Sequence, residues 1–155
     1  MNPYVEKFWQ KVDKSGDCWL WTASTRGNGY GQATVAPGKQ GYAHRFSYEI
    51  TNGPIPAGFV IDHKCHNVLC VKPGHLQAVS QGENQQNQSG AHSDSSTGIR
   101  NVSWNRDKRK YQVFVRVNRK SKFYGYFDDP AEAEEVAIAI RNKVFTNNIL
   151  DRKVA

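Results

Sequence analysis

The sequence predicts an α+β protein of two small units, and three observations carry that prediction. Three β-rich runs, "IRNVSW", "YQVFVRV" and "KFYGYF", precede one helical pattern near the C-terminus. Three of the five histidines and two of the three cysteines crowd into "IDHKCHNVLCVKPGHL", residues 61–76. Between these regions lies "QQNQSGAHSDSST", residues 85–97, which is polar and has no apolar periodicity. The expected division is a first unit over 1–88, a linker over 89–97 and a second unit over 98–150.

In the first unit "VEKFWQKV" reads as a helix with Val5, Phe8, Trp9 and Val12 on one side. "CWLWTAS", "GYGQATV" and "YAHRFSYEI" follow as strands and a helix, and "GPIPAGFVIDH" as a turn into a short strand ending at Asp62–His63. Cys65 and Cys70 are separated by four residues, and His75 follows after another four. A closed tetrahedral zinc site needs four ligands. Cys18, beside Trp19, is the one cysteine left, so Cys18, Cys65, Cys70 and His75 form the expected structural zinc set. His44 and His66 are rival ligands, and buried free cysteines with a core histidine are the plainer reading. A unit of this size has a modest core, so a metal staple is physically reasonable.

Asp62, His63 and Asn84 form a second constellation. Ser80 with Glu83 reads as a capping box, which places Asn84 in the first turn of a helix. Asp62 and Asn84 offer hard oxygen ligands suited to Mg²⁺. His63 has a side chain suited to taking a proton from water.

In the second unit "NRDKRK" and "NRKS" read as hairpin turns between the three strands. Tyr111, Val113, Val115 and Val117 share one face of the middle strand, with Gln112, Phe114 and Arg116 on the other. Asp129 then caps a helix with Pro130 at its first position and Glu132 completing a capping box. Val136, Ile140 and Val144, beside Ala133 and Ala137, give that helix one apolar face.

Charge separates the two units. Residues 1–90 carry 8 Lys/Arg against 6 Asp/Glu, and residues 91–155 carry 13 against 8, within a total of +7. From Arg100 to Lys122 there are nine basic residues and one acid, Asp107, interleaved with Trp104, Tyr111 and Phe114. This is the footprint of nucleic-acid binding, or else of a solvated basic face. No run approaches the length of a membrane span. Residues 1–10 have no apolar export core, and an odd cysteine count argues against a disulfide framework. A soluble cytoplasmic chain is expected.

Two resemblances sharpen these readings. "HRFSYE", "GPIP", "VIDH", the two loop cysteines, "PGHL" and "EN" resemble the HNH/His-Cys-box nucleases of the ββα-metal group, many of them homing endonucleases of phages and mobile elements. The likeness runs over nearly all of residues 15–88. It implies that His63 is the general base and that Asp62 and Asn84 hold a catalytic Mg²⁺ (or Mn²⁺). It also implies that zinc shapes the loop. Many relatives have Asn where this chain has Lys72, which puts the loop's hydrogen bonding in doubt. Arg45 or Arg26 could assist at the phosphate.

The second resemblance covers about 50 residues from "TGIRNVSW" through "GYFDDPAEAEEVAIAIRNKVF". These are similar to the APETALA/ethylene-response-factor DNA-binding domain, which also occurs appended to phage nucleases. That family lays its sheet in the major groove. The likeness makes Arg100, Trp104, Arg106, Gln112, Phe114, Arg116 and Phe123 candidates for DNA contact, with Lys120 and Lys122 on phosphates. The implied whole is a metal-dependent endonuclease that cuts double-stranded DNA to 5′-phosphate and 3′-hydroxyl ends, as a homodimer if it breaks both strands. A DNA-binding regulator on a zinc-stabilised scaffold is the alternative. An RNA-binding module is a third class, but no ribonucleoprotein-type motif is visible.

Overall fold

A computed structural model of the chain describes residues 2–153. It contains small antiparallel sheets and short helices in two compact units, one up to Gln81 and one from Gly82 onward. No helix among the described residues is long and apolar enough to cross a membrane.

The first unit begins with α1 (Pro3–Trp9). Asn2 Oδ1 accepts the Tyr4 N–H at 3.0 Å and Pro3 sets the first helical φ, so the helix starts earlier than the apolar pattern indicates. It also ends earlier, because Val12 belongs to β1 (Val12–Asp13), paired with β2 (Leu20–Trp21). A hairpin of β3 (Gln32–Ala36) and β4 (Lys39–Tyr42) leads into α2 (Ala43–Asn52). β5 (Phe59–His63) then pairs antiparallel with β6 (Leu76–Ser80), with Asp62 opposite Gln77 and His63 opposite Leu76. The loop between them carries a 3₁₀ turn, Pro73–His75.

The core of this unit is aromatic. Phe8 stacks on Trp21 with centroids 5.0 Å apart and meets Phe46 edge-on at 5.3 Å, with Ala33, Ala43 and Val71 around them. Gly31 lets the chain pass directly over this stack. A Cβ there would lie 2.6 Å from the Trp21 ring and 3.0 Å from Ala43 Cβ. Gly31→Ala should therefore overpack the core and destabilise the unit by about 1–3 kcal/mol. The check is the urea midpoint followed by tryptophan fluorescence, and an unchanged midpoint would contradict the packing described.

α3 (Gln81–Gln86) runs from the end of β6 into the second unit. There, β7 (Val102–Asn105), β8 (Lys110–Val117) and β9 (Lys120–Phe127) form an antiparallel sheet in that order. Asn118 and Arg119 both have positive φ, at 50° and 65°, the form of a two-residue turn whose twist suits a hairpin. α4 (Pro130–Val144) is capped by Asp129, whose Oδ1 accepts the Ala131 N–H at 2.7 Å. Ala133 and Ala137, with no side chain beyond Cβ, let α4 approach Val102, Val113 and Val115 closely. A short α5 (Ile149–Lys153), absent from the sequence reading, follows.

Candidate functional site

Cys18 is brought to the loop by backbone pairing. Leu20 bridges Cys70, Trp21 N–H donates to Leu69 O at 2.9 Å and Val71 N–H donates to Trp19 O at 2.7 Å. The loop folds on itself: Lys64 N–H donates to His75 O at 2.9 Å, and His66 takes a left-handed φ of 59° to turn the chain. The outcome is one cluster, Cys18, Cys65, Cys70 and His75, whose ligand atoms all lie within 4.8 Å of one another. His44 and His66 are not members of it.

The spacing suits a tetrahedral metal. His75 Nδ1 lies 3.6 Å from both Cys18 Sγ and Cys70 Sγ. Zn–S and Zn–N bonds of about 2.3 and 2.0 Å at tetrahedral angles require nearly that separation. His75 Nε2 faces Asp17 Oδ2 at 3.7 Å, the carboxylate–histidine arrangement that orients a metal-bound imidazole. Burial raises the Cys18 thiol and pushes Cys70 up to about 12. A bound cation reverses that tendency, because thiolates are the ligands. Lys72 also finds its role here: its Nζ donates to Asp17 O at 2.9 Å and Oδ1 at 3.1 Å, fastening the strand-side loop that carries Cys18.

Asp62 and His63 are both buried at the end of β5. Asp62 Oδ2 accepts from Gln77 Nε2, its cross-strand neighbour, at 3.0 Å. His63 Nε2 lies 3.0 Å from Cys70 O. A carbonyl only accepts, so Nε2 carries the ring proton and the lone pair sits on Nδ1. Burial lowers the pKa of His63, while the Cys70 carbonyl and the Asp62 charge oppose that shift. Cys70 thus belongs to the sulfur cluster through its side chain and orients His63 through its backbone.

His63 sits among rings that no local pattern groups. His44 packs on it with centroids 4.8 Å apart, and Tyr30 at 6.0 Å. Tyr42 packs on His44 at 5.6 Å, and the Arg26 guanidinium lies 4.3 Å over Tyr42. This connects Arg26 to the His63 surroundings, and Arg45 adjoins His44 and adds its charge to that ring's surroundings. His44 Nδ1 is buried without a hydrogen-bond partner, and burial depresses its pKa to about 3, so the ring is neutral at ordinary pH. The available signal was the helical face shared by His44 and Ser47, both buried. Asn84 lies half-buried in the first turn of α3, on the second-unit side of the division.

In the second unit, residues paired across strands share a face. Gln112 pairs with Ser103 and Tyr126, Phe114 with Phe123, and Arg116 with Ser121. These make the face away from α4. Phe114, Phe123 and Tyr126 stay exposed and mutually packed, at 5.2 and 4.8 Å between successive centroids. Tyr126 was not among the expected contacts. Trp104, Lys120 and Lys122 pair with Tyr111, Val117 and Val115, which puts them on the opposite face. Trp104 meets Tyr111 edge-on at 4.8 Å as a margin of the core. Arg106 is exposed in the first turn. Arg100 is turned inward, its guanidinium donating to Gln86 O at 2.9 Å and Gln88 O at 3.0 Å, so it leaves the exposed set.

Residues 41–86 match the family model of the HNH endonucleases. Protein 7.7 of Escherichia phage T7 is 43% identical over 60 residues, 39% of this chain and 45% of that protein. Protein 2.8 of the same phage is 40% identical over 75 residues, 48% of this chain and 50% of that protein. The chain spans about half the length of the curated relatives it matches. No solved structure matches.

Proposed function

We propose that the chain is a metal-dependent DNA endonuclease of the phage or mobile-element homing type. The observation that carries this reading is the hydrogen bond from His63 Nε2–H to Cys70 O, within the segment that matches the HNH model. It fixes the tautomer whose Nδ1 can take a proton from a water aimed at the scissile phosphorus. Asp62 and Asn84 are assigned to a divalent cation, Mg²⁺ or Mn²⁺, and a carboxylate with an amide oxygen is a hard donor pair that fits it. Such an ion supplies stabilisation of charge on the transition state and on the departing 3′-oxygen. Gln77 holds the Asp62 carboxylate in place from the neighbouring strand. Attack in this sense leaves 5′-phosphate and 3′-hydroxyl ends.

The second unit is assigned to DNA recognition in the manner of APETALA-type domains, through Gln112, Phe114, Arg116, Phe123 and Tyr126. Arg can read guanine bidentately and an aromatic ring can pack on a thymine methyl. Arg106 is assigned to phosphates, while Lys120 and Lys122, on the opposite face, leave the contact set. Tethering a reading unit to a cutter raises the local concentration of its site. The enzyme would act inside the host cell, as a dimer where it cuts both strands.

The test is conversion of supercoiled plasmid by the zinc-loaded chain with and without Mg²⁺. Nicked or linear product that depends on the ion supports the reading. Binding without cleavage on every DNA offered, including the gene's own insertion locus, leaves the alternative of a DNA-binding regulator.

A further inference from the structure

α3 has six residues, Gln81–Gln86. A helix this short is not stable in water without tertiary support. The described contacts that support it come from within the second unit, to which residues 82 onward belong. The Arg100 guanidinium serves three carbonyls at its C-terminal end: Gln86 O at 2.9 Å, Gln88 O at 3.0 Å and Gln85 O at 3.4 Å. These include carbonyls that a helix end leaves without intrahelical partners, and a cation there also suits the helix dipole. Gln86 Oε1 accepts from Thr146 N–H at 3.0 Å and Asn147 N–H at 3.2 Å. Asn147 Nδ2 donates to Glu83 O at 3.0 Å, and Ile149 N–H donates to Asn87 Oδ1 at 3.3 Å.

The clamp is itself anchored. The buried Arg141 donates from one guanidinium nitrogen to Arg100 O at 3.0 Å, and from Nε to Asp151, which Asn148 Nδ2 also meets at 2.9 Å. Asn87, Asn147 and Asn148 are all buried, so these bonds work away from solvent, where polar groups must be satisfied. Asn84 lies between the two residues, Glu83 and Gln85, whose carbonyls are gripped by Asn147 and Arg100.

We propose that Arg100 and Asn147 are positioning residues for cleavage: by clamping α3 they fix the backbone that carries Asn84. This rests on the reading of Asn84 as a ligand of the catalytic cation. It reassigns Arg100 from base reading to catalysis at a distance.

The experiment uses the 155-residue chain carrying Arg100→Ala, Arg100→Lys or Asn147→Ala, each alone and the two alanine variants also with Asn84→Ala. Amide hydrogen exchange over residues 81–88 should accelerate in both alanine variants while β7–β9 stay protected. The cleavage kcat should fall about 10–100-fold, the usual cost of losing a group that orients a metal ligand, and the Mg²⁺ needed for half-maximal rate should rise. Arg100→Lys should recover part of both effects. DNA affinity without added Mg²⁺ should hold, whereas loss of a guanine contact would weaken it at least about fivefold. In the Asn84→Ala background neither alanine change should lower kcat further. Unchanged exchange in α3 overturns the clamp. Loss of DNA affinity at constant kcat, or full additivity with Asn84→Ala, overturns the positioning role. A wild-type chain that cleaves nothing with Mg²⁺ removes the nuclease reading instead, and the exchange data then still decide whether the clamp exists.

Discussion

Replacing His63 with alanine is expected to lower the rate of DNA cleavage by about 10²–10⁴-fold, the range for removing a positioned general base. The expectation comes from a single tautomer. With Nε2–H committed to Cys70 O at 3.0 Å, the imidazole presents Nδ1 as its acceptor, and burial favours the neutral ring. The variant also leaves a buried carbonyl without its donor, which costs about 1–3 kcal/mol of stability. His63→Asn separates the two effects, since its amide restores a donor but supplies no base. Both variants should bind DNA as the parent does and cut it at the depressed rate. Added imidazole should recover part of the activity of the alanine variant. Cleavage within about tenfold of the parent in a folded His63→Ala chain would remove His63 from the role of base.

The extent to which sequence anticipated this arrangement follows from the range of the forces involved. Cys65, Cys70 and His75 lie on one loop, so their spacing alone states the geometry. Cys18 was reachable only because it was the last cysteine; the bridge between Leu20 and Cys70 that delivers it has no local signature. The second-unit strands and the Asp129 cap were legible because alternation and capping are local patterns. Edge-of-core packing is an open alternative for Trp104 in the sequence, but the face occupied by Lys120 and Lys122 was not legible, because it depends on register across strands. The irregularity between Val113 and Phe114 shifts that register by one place along β9.

Arg100 shows a different limit. In a strip of nine basic residues nothing in the sequence separates an arginine that meets solvent from one that caps a helix. The carbonyls it serves are 12 to 15 positions away, on a segment that composition marks as the start of a linker. His44 shows the same limit in the first unit: in sequence it reads as a rival metal ligand. Its packing on His63, with Tyr30 and Tyr42, becomes visible once α2 and β5 are brought together.

Stripping the metal from the Cys18–Cys65–Cys70–His75 cluster should unfold the first unit and spare the second. Structural zinc binding is worth on the order of 10–16 kcal/mol in small domains, comparable with the whole stability of a domain at about 5–15 kcal/mol. The first unit has little to set against that loss, because its core is a handful of aromatic contacts around Phe8, Trp21 and Phe46. The second unit contributes no ligand to the cluster and has its own apolar core. Trp9, Trp19 and Trp21 lie in the first unit and Trp104 in the second, so tryptophan emission should shift strongly to the red on chelation. The amides of β7–β9 should remain protected against exchange. Re-addition of one equivalent of Zn²⁺ should restore the emission, and Cys70→Ser should behave like the chelated chain. Cleavage should be lost in the same step, because the carbonyl that orients His63 belongs to Cys70, whose side chain is part of the cluster. A metal-free chain with native emission would show that the cluster is a set of buried thiols. The orientation of His63 would then have to be maintained by its ring contacts with His44 and Tyr30.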